Sequence, residues 1–304
     1  MKTVPALTEC KGLNVKIDPV RIAGTGFLSS CKNVEIDDSG RVSRRKGFSR
    51  FVAGEWHSLF AAERYMLGVT GDALSVIYGD GSYVRIANVQ TGLRMSYALV
   101  WDGQREVVYF GNGVESGKVV EGVAYHLVYS EPQGNVSRSL EVMPALTHLT
   151  LWNGRLYGVE NEIVWYSEPF NFEVIDKSRN YWAFESRVLG LMPIRTGMVV
   201  GLENDIVLLK GSEPTEVVRS SLSSGRGMVE WSEVLMGSGG FIPLQEGFIL
   251  WEPWLMGTKG GVGAISQDGV FSDLGRDVIA FSGDVAKGAG CVMNNEKFVL
   301  TLEG

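Results

Sequence analysis

The sequence predicts an all-β protein, a six-bladed β-propeller, on three observations: a repeated phrase, short runs alternating apolar with polar residues, and abundant glycine at turns. Leu156-Tyr157-Gly158-Val159-Glu160-Asn161-Glu162-Ile163-Val164 returns 43 residues later as Val199-Val200-Gly201-Leu202-Glu203-Asn204-Asp205-Ile206-Val207. A looser copy, Leu67-Gly68-Val69-Thr70-Gly71-Asp72-Ala73-Leu74, lies earlier in the chain. Self-similarity at roughly 40 to 50 residues, in short β-rich units, is the signature of propeller blades. The chain has 304 residues, 45% of them hydrophobic and 39 of them Gly, enough for a large core and many tight turns.

Period-two runs bounded by Gly, Asn and Asp divide the body into blades. The first spans 57–89, with strands at 65–70, 74–78 and 83–86. The second spans 95–128, and its Gly111 falls 43 residues after Gly68, in register with it. The third and fourth, 146–175 and 188–220, carry the two best copies of the phrase. The fifth, 232–274, has strands expected at 240–243, 248–251, 263–266 and 270–271. The sixth, 277–304, offers only 278–281, 290–293 and 297–302. An unpaired sheet edge is an aggregation hazard, so this last blade needs a strand from elsewhere. Residues 32–51 supply a candidate hairpin, Asn33-Val34-Glu35-Ile36 and Arg41-Val42-Ser43 around a turn at Asp37-Asp38-Ser39-Gly40. The expected organisation is therefore an N-terminal arm and closing hairpin, 1–51, and a propeller, 52–304. The polar stretches 130–140 and 219–227 read as loops between blades.

The net charge of −7 is unevenly spread. Residues 1–50 hold ten Lys and Arg against five Asp and Glu, whereas 51–304 hold eighteen against thirty: a +5 arm precedes a −12 body. Such asymmetry bears on partners and association rather than on fold. No run approaches a signal peptide or the roughly 20 apolar residues of a membrane span, so the reading is of a soluble, unexported chain with no membrane span. Cys10, Cys31 and Cys291 fit neither a disulfide framework nor a zinc pattern and read as buried reduced thiols.

Chemistry is hard to find. His57, His126 and His148 sit in no catalytic motif, and the similar places of His57 and His148 near blade starts point to a structural role between blades. Gly257-Thr258-Lys259-Gly260-Gly261-Val262-Gly263 lacks P-loop order, and both it and Gly237-Ser238-Gly239-Gly240 read as turns. Glu160, Glu162, Glu203 and Asp205 stand in equivalent places on neighbouring blades, where a glycosidase would need carboxylates, but acidic residues also suit such turns. Ser266-Gln267-Asp268-Gly269-Val270-Phe271 is a broken echo of the Asp-box turn of sialidases. The expectation is a protein without catalysis, cofactor or metal. The one dense charge feature is Arg41, Arg44, Arg45, Lys46 and Arg50, read as a contact for an acidic neighbour or for DNA phosphates, or else as a solvated hairpin face.

The opening Gly12-Leu13-Asn14-Val15-Lys16-Ile17-Asp18-Pro19, then Cys31-Lys32-Asn33-Val34-Glu35-Ile36-Asp37 and Gly40-Arg41-Val42-Ser43-Arg44-Arg45-Lys46-Gly47-Phe48, resembles the start of bacteriophage tail nozzle and tubular proteins. Asn153-Gly154-Arg155-Leu156-Tyr157 and Val164-Trp165-Tyr166-Ser167-Glu168-Pro169 resemble a blade phrase of those proteins and of the packaged-DNA stabilisation (tail hub) proteins of short-tailed phages. The resemblance implies a structural virion protein made in the host cytoplasm. It would form a homo-oligomeric ring, usually a hexamer, below the portal and adaptor, and double-stranded DNA would pass through the ring without sequence-specific contact. No catalytic residue is implied. An acidic ring suits that role, because like charge keeps a sliding duplex centred. The alternatives are a glycan-binding or glycan-hydrolysing propeller and a scaffold propeller.

Overall fold

The runs Ala73–Ile77 and Gly197–Leu202 are buried at every position, so they cannot be strands with one wet face. A strand apolar on both sides needs cover on both, and stacked sheets provide it. The computed structural model describes residues 9–37, 39–47, 49–130, 139–223, 225–237, 240–244, 249–274, 285, 287–293 and 297–303. Among them there is no helix. The sheets are stacked as propeller blades.

The arm holds a parallel pair, β1 (Gly12–Leu13) with β2 (Phe27–Leu28), and a hairpin, β3 (Val34–Ile36) with β4 (Val42–Arg44). Blade one is β5 (His57–Ala61), β6 (Met66–Thr70), β7 (Ala73–Ile77) and β8 (Tyr83–Asn88). Blade two is β9 (Ser96–Trp101), β10 (Glu106–Gly111), β11 (Ser116–Val120) and β12 (Val123–Tyr125). After β13 (Leu140–Val142), blade three begins with β14 (Thr147–Trp152), β15 (Arg155–Glu160) and β16 (Ile163–Tyr166). The chain then leaves it as β17 (Val174–Asp176) to pair with β13, and returns as the outer strand β18 (Tyr181–Ala183). Blade four is β19 (Val188–Ile194), β20 (Gly197–Leu202), β21 (Ile206–Lys210) and β22 (Val218–Ser221). Blade five opens with β23 (Val234–Leu235), detours through a separate hairpin, β24 (Phe241–Pro243) with β25 (Ile249–Trp251), and resumes as β26 (Trp254–Thr258), β27 (Gly261–Ile265) and β28 (Phe271–Asp273). A last hairpin, β29 (Lys287–Met293) with β30 (Lys297–Glu303), follows blade five.

Three expectations need correction. The third blade extends past residue 175, because 174–176 pairs outside it and Tyr181–Ala183 supplies its edge. The segments expected at 240–243 and 248–251 pair with each other rather than joining blade five. Among the described residues the hairpin within 32–51 does not close the last blade by strand pairing: β3 and β4 form their own two-stranded sheet, not laddered to β29 or β30. A closing strand must bury a face, and Val42–Arg44 is exposed throughout. The arm ties to itself instead, with the Cys10 amide donating to the Gly40 carbonyl at 2.8 Å. The strand expected at 278–281 lies outside the described residues.

Consecutive blades share apolar clusters. Leu67, Leu74 and Val76 of blade one pack with Val108, Phe110 and Val119 of blade two. Ala98, Val107 and Tyr109 of blade two meet Leu146 and Leu156 of blade three. Tyr157, Tyr166 and Trp182 of blade three meet Leu191, Met198 and Leu209 of blade four. Met192, Val199 and Ile206 of blade four meet Met228, Met256 and Ile265 of blade five. Indole donors add fixed points: Trp182 Nε1 donates to Pro214 O and Trp254 Nε1 to Pro193 O, both at 2.8 Å. The first strands of neighbouring blades approach one another, β9 with β14 and β14 with β19, so they line the axis.

The repeated glycine has a physical reason. Gly68, Gly111, Gly158 and Gly201 all lie on the second strand of their blades. A Cβ on Gly111 would come within 2.3 Å of the Leu146 carbonyl oxygen, and one on Gly201 within 2.2 Å of Met228 Sδ, so only glycine lets the incoming chain of the next blade approach. In blades one, three and four the register of the axial strand shifts at this level, a β-bulge that re-aims one side chain. Ser58 and His148 occupy the bulges at φ 52 and φ 48, a left-handed conformation that costs non-glycine residues about 1–3 kcal/mol. His148 is thus equivalent to Ser58, one position away from the equivalence with His57 that the sequence suggests.

Candidate functional site

The basic cluster sits on the arm hairpin and the segment after it, and Arg41, Arg44, Arg45, Lys46 and Arg50 are all exposed. The turn that presents it is organised by Asp37, whose Oδ1 accepts hydrogen bonds from the Ser39 hydroxyl at 2.6 Å, the Ser39 amide at 3.0 Å and the Arg41 amide at 2.9 Å. The Ser39 hydroxyl above all, then the Arg41 amide, hold its carboxyl below the usual range. Among the described residues, Arg41, Arg44, Lys46 and Arg50 form no ion pair with the body.

Two of the four repeated carboxylates, Glu160 and Asp205, serve their own blades. Glu160 accepts from Trp165 Nε1 at 2.9 Å. Asp205 accepts from the Ile206 amide at 2.7 Å and the Ser221 hydroxyl at 2.8 Å. Glu162 is exposed in the β15–β16 turn, and Glu203 lies 3.9 Å from Arg187. No group of three or more His, Cys, Asp or Glu among the described residues is placed to hold a metal. The Gly257–Gly263 stretch is the β26–β27 hairpin. The Asp-box echo is also a turn: its Ser266 amide donates to Val270 O at 3.0 Å, and Asp268 pairs with Arg195 of blade four. The thiols differ from expectation, for Cys10 is buried but Cys31 is half-buried and Cys291 exposed, on β29.

The blade phrases of the resemblance have structural work. Asn153 and Gly154 both take positive φ in the two-residue turn between β14 and β15, as a tight hairpin requires. Ser167, fully buried, accepts from the Leu156 amide at 2.9 Å and donates to Glu168 O at 3.0 Å.

What the sequence did not reveal is a polar cluster on the axis. The bulge turns His148 into the centre, where its side chain is 2% exposed. There it meets Glu230, Trp231 and Glu233, from the segment leading into blade five. Nδ1 lies 3.2 Å from Glu233 Oε1, and Nε2 lies 3.7 Å from Glu230 Oε1, the latter an ion pair rather than a hydrogen bond. Trp231, at φ 66, stacks on the imidazole with centroids 4.0 Å apart, and Arg94 stands over the indole at 6.0 Å. Arg187 reaches Glu230 at 3.3 Å. Burial alone would lower the His148 pKa, but the carboxylates of Glu230 and Glu233 outweigh it and raise it above the ordinary value. Burial likewise opposes ionisation of Glu230, and His148, Arg187 and Lys287 outweigh it and lower its pKa. His57 goes the other way, lowered by burial and then by the charge of Arg94. The only sequence signal for this cluster was the pairing of His57 and His148 at blade starts; nothing marked Glu230 or Glu233, 82 and 85 residues further along. His126 is exposed and takes no part.

The fold defines the chain as a β-propeller, and solved propellers superpose on it. The extracellular domain of a hybrid two-component system from B. thetaiotaomicron matches with a TM-score of 0.52 at 9% identity, over 86% of this chain and 34% of that one. The Pan2 WD40 domain of Neurospora crassa matches at 0.47 and 9% identity, over 76% and 67%. A catalytically inactive virginiamycin B lyase from Staphylococcus aureus, with quinupristin, matches at 0.46 and 11% identity, over 81% and 83%. This chain therefore spans about a third of the B. thetaiotaomicron chain, and likeness at such identities shows the architecture alone. No family model matches the sequence, and no curated protein matches it significantly.

Proposed function

We propose that this protein is a non-catalytic structural component of a bacteriophage tail, a homo-oligomeric ring below the portal and adaptor that retains the genome and then lets duplex DNA pass. The observation that carries the reading is the arm: a basic hairpin that forms its own two-stranded sheet among the described residues and is exposed along β4, beside an acidic propeller. Such a module suits docking to an acidic neighbour, where complementary charge sets register and on-rate. The axial cluster supports a second detail. His148, Trp231 and the two glutamates pack against one another at the axial strand β14, and the DNA path would lie at the centre of a ring of copies. The four turn carboxylates, engaged in their own hairpins or exposed, favour a role without catalysis.

Native mass spectrometry of the purified chain is the direct test. A closed ring is expected, and a monomer at every concentration tried removes the reading. For docking, reversing Arg44, Arg45 and Lys46 to Glu should leave the ring intact and strip the protein from particles, most strongly at low salt. Wild-type incorporation across ionic strengths would reduce the cluster to a solvated face.

A further inference from the structure

Between blades two and three lies an open cleft of about 650 Å³. Its rim holds three large aromatic rings that folding leaves wet: Phe170 is 81% exposed, Trp101 63% and Tyr125 50%. Exposed apolar side chains scattered singly need no explanation, whereas aromatics gathered on one concavity do. Phe170 carries a second anomaly. It sits at φ 54, a conformation costly for a bulky residue, and it gains almost no burial in return. Its amide donates to Gly154 O at 2.7 Å, and its ring lies so close to the Gly154 turn that a Cβ there would come within 2.8 Å of it. The tip of the ring thus lies against the β14–β15 turn while most of the ring stays in solvent.

The polar floor is neutralised internally. Lys118 pairs with Glu173, a carboxylate that also accepts from the Val128 amide at 2.6 Å and the Tyr109 hydroxyl at 3.5 Å. Arg105 pairs with Asp102 at 3.5 Å. Asn171 is fixed by two hydrogen bonds to Ser130, at 3.0 and 3.1 Å. Opposite charges side by side give no net field to select an anion or a cation. They leave instead an alternation of donors and acceptors at fixed positions beneath open aromatic faces.

We propose that this cleft binds a neutral saccharide. A pyranose presents a C–H face to an aromatic ring and hydroxyls at its edge, each both donor and acceptor, which matches Lys118, Arg105 and Asn171 as donors and Glu173 and Asp102 as acceptors. The volume falls within the usual range for small-ligand sites, apolar walls with a few oriented polar groups. The site stands independently of the tail reading, since it needs neither a ring nor the arm.

The test is calorimetric titration of the full chain with neutral hexasaccharides of glucose, galactose and N-acetylglucosamine, beside an uncharged decapeptide. Saturable binding of at least one sugar is expected, weakened at least about tenfold by Trp101→Ala, about the loss expected from one exposed contact of 1.4 kcal/mol. Phe170→Gly is the sharper variant, because glycine adopts φ 54 without strain: binding should fall while Tm holds or rises. A merely structural Phe170 would lower Tm and leave binding unchanged. The proposal is overturned if no sugar binds, if the peptide binds in preference, or if both variants bind as the wild type does.

Discussion

At the boundary of blades three and four, Tyr157, Trp182, Met198 and Leu209 are packed with almost no solvent exposure. Where the C-terminal hairpin meets the axis, polar contacts join in. Arg94 donates to Gly288 O, the Gly288 amide donates to Glu230 O at 2.9 Å, and Glu230 and Lys287 form a parallel bridge. Among the described residues, Phe298 is the side chain of that hairpin packed into a blade's apolar cluster. The difference teaches how a propeller is assembled. Apolar faces tell consecutive blades to stack, because any two matched stripes bury area, but they are tolerant of register. The axis gathers segments far apart in sequence, and there directional pairs around His148 accept one arrangement.

The comparison breaks most easily at its apolar side. Trp182→Ala removes a buried indole shared by two blades and should cost about 3–5 kcal/mol, read as a lowered midpoint in urea unfolding. A loss under about 1 kcal/mol would mean that this boundary does not carry the fold.

His148→Ala comes next. It leaves Glu230 and Glu233 facing each other without the imidazolium, and about 2–3 kcal/mol should be lost. Glu230→Gln should restore part of this in the double variant, which a purely steric role for His148 would not allow.

The pH dependence sharpens the same side. Because the folded His148 pKa is raised above its ordinary 6.5, its contribution is complete below that value and declines as pH rises through the folded pKa. Because the folded Glu230 pKa is lowered below its ordinary 4.5, its contribution is complete above 4.5 and lost as pH falls through the folded pKa. The Tm difference between wild type and His148→Gln should therefore be widest between these two values and shrink as pH rises above 6.5 through the raised pKa. A difference constant across that range would show that His148 does not titrate on folding.

The smallest effect belongs to the arm. Reversing Arg44, Arg45 and Lys46 should change unfolding stability by no more than about 0.5 kcal/mol each, since charges on an exposed surface contribute little. A large loss would mean that the arm is part of the propeller after all.

Much of the fold was legible because propeller blades are local. Each is a meander whose strands follow one another, so alternation, turn residues and the recurring Gly68, Gly111, Gly158 and Gly201 carried both the architecture and the places of the blades' second strands. The hairpin Val34–Ile36 with Val42–Arg44 was readable for the same reason. What that hairpin pairs with beyond itself was not, because edge pairing depends on which faces remain to be buried once the rest has folded.

The sequence by itself determined the repeat, the turns and the separation of a basic arm from an acidic body, all properties of residues near in the chain. Only the tertiary structure decided the rest. It set His148 against Glu230 and Glu233, moved 174–176 out of blade three, and left Phe170 strained and wet beside Trp101. Those outcomes rest on contacts between segments tens of residues apart, and no local pattern encodes which distant side chain a bulge will aim at.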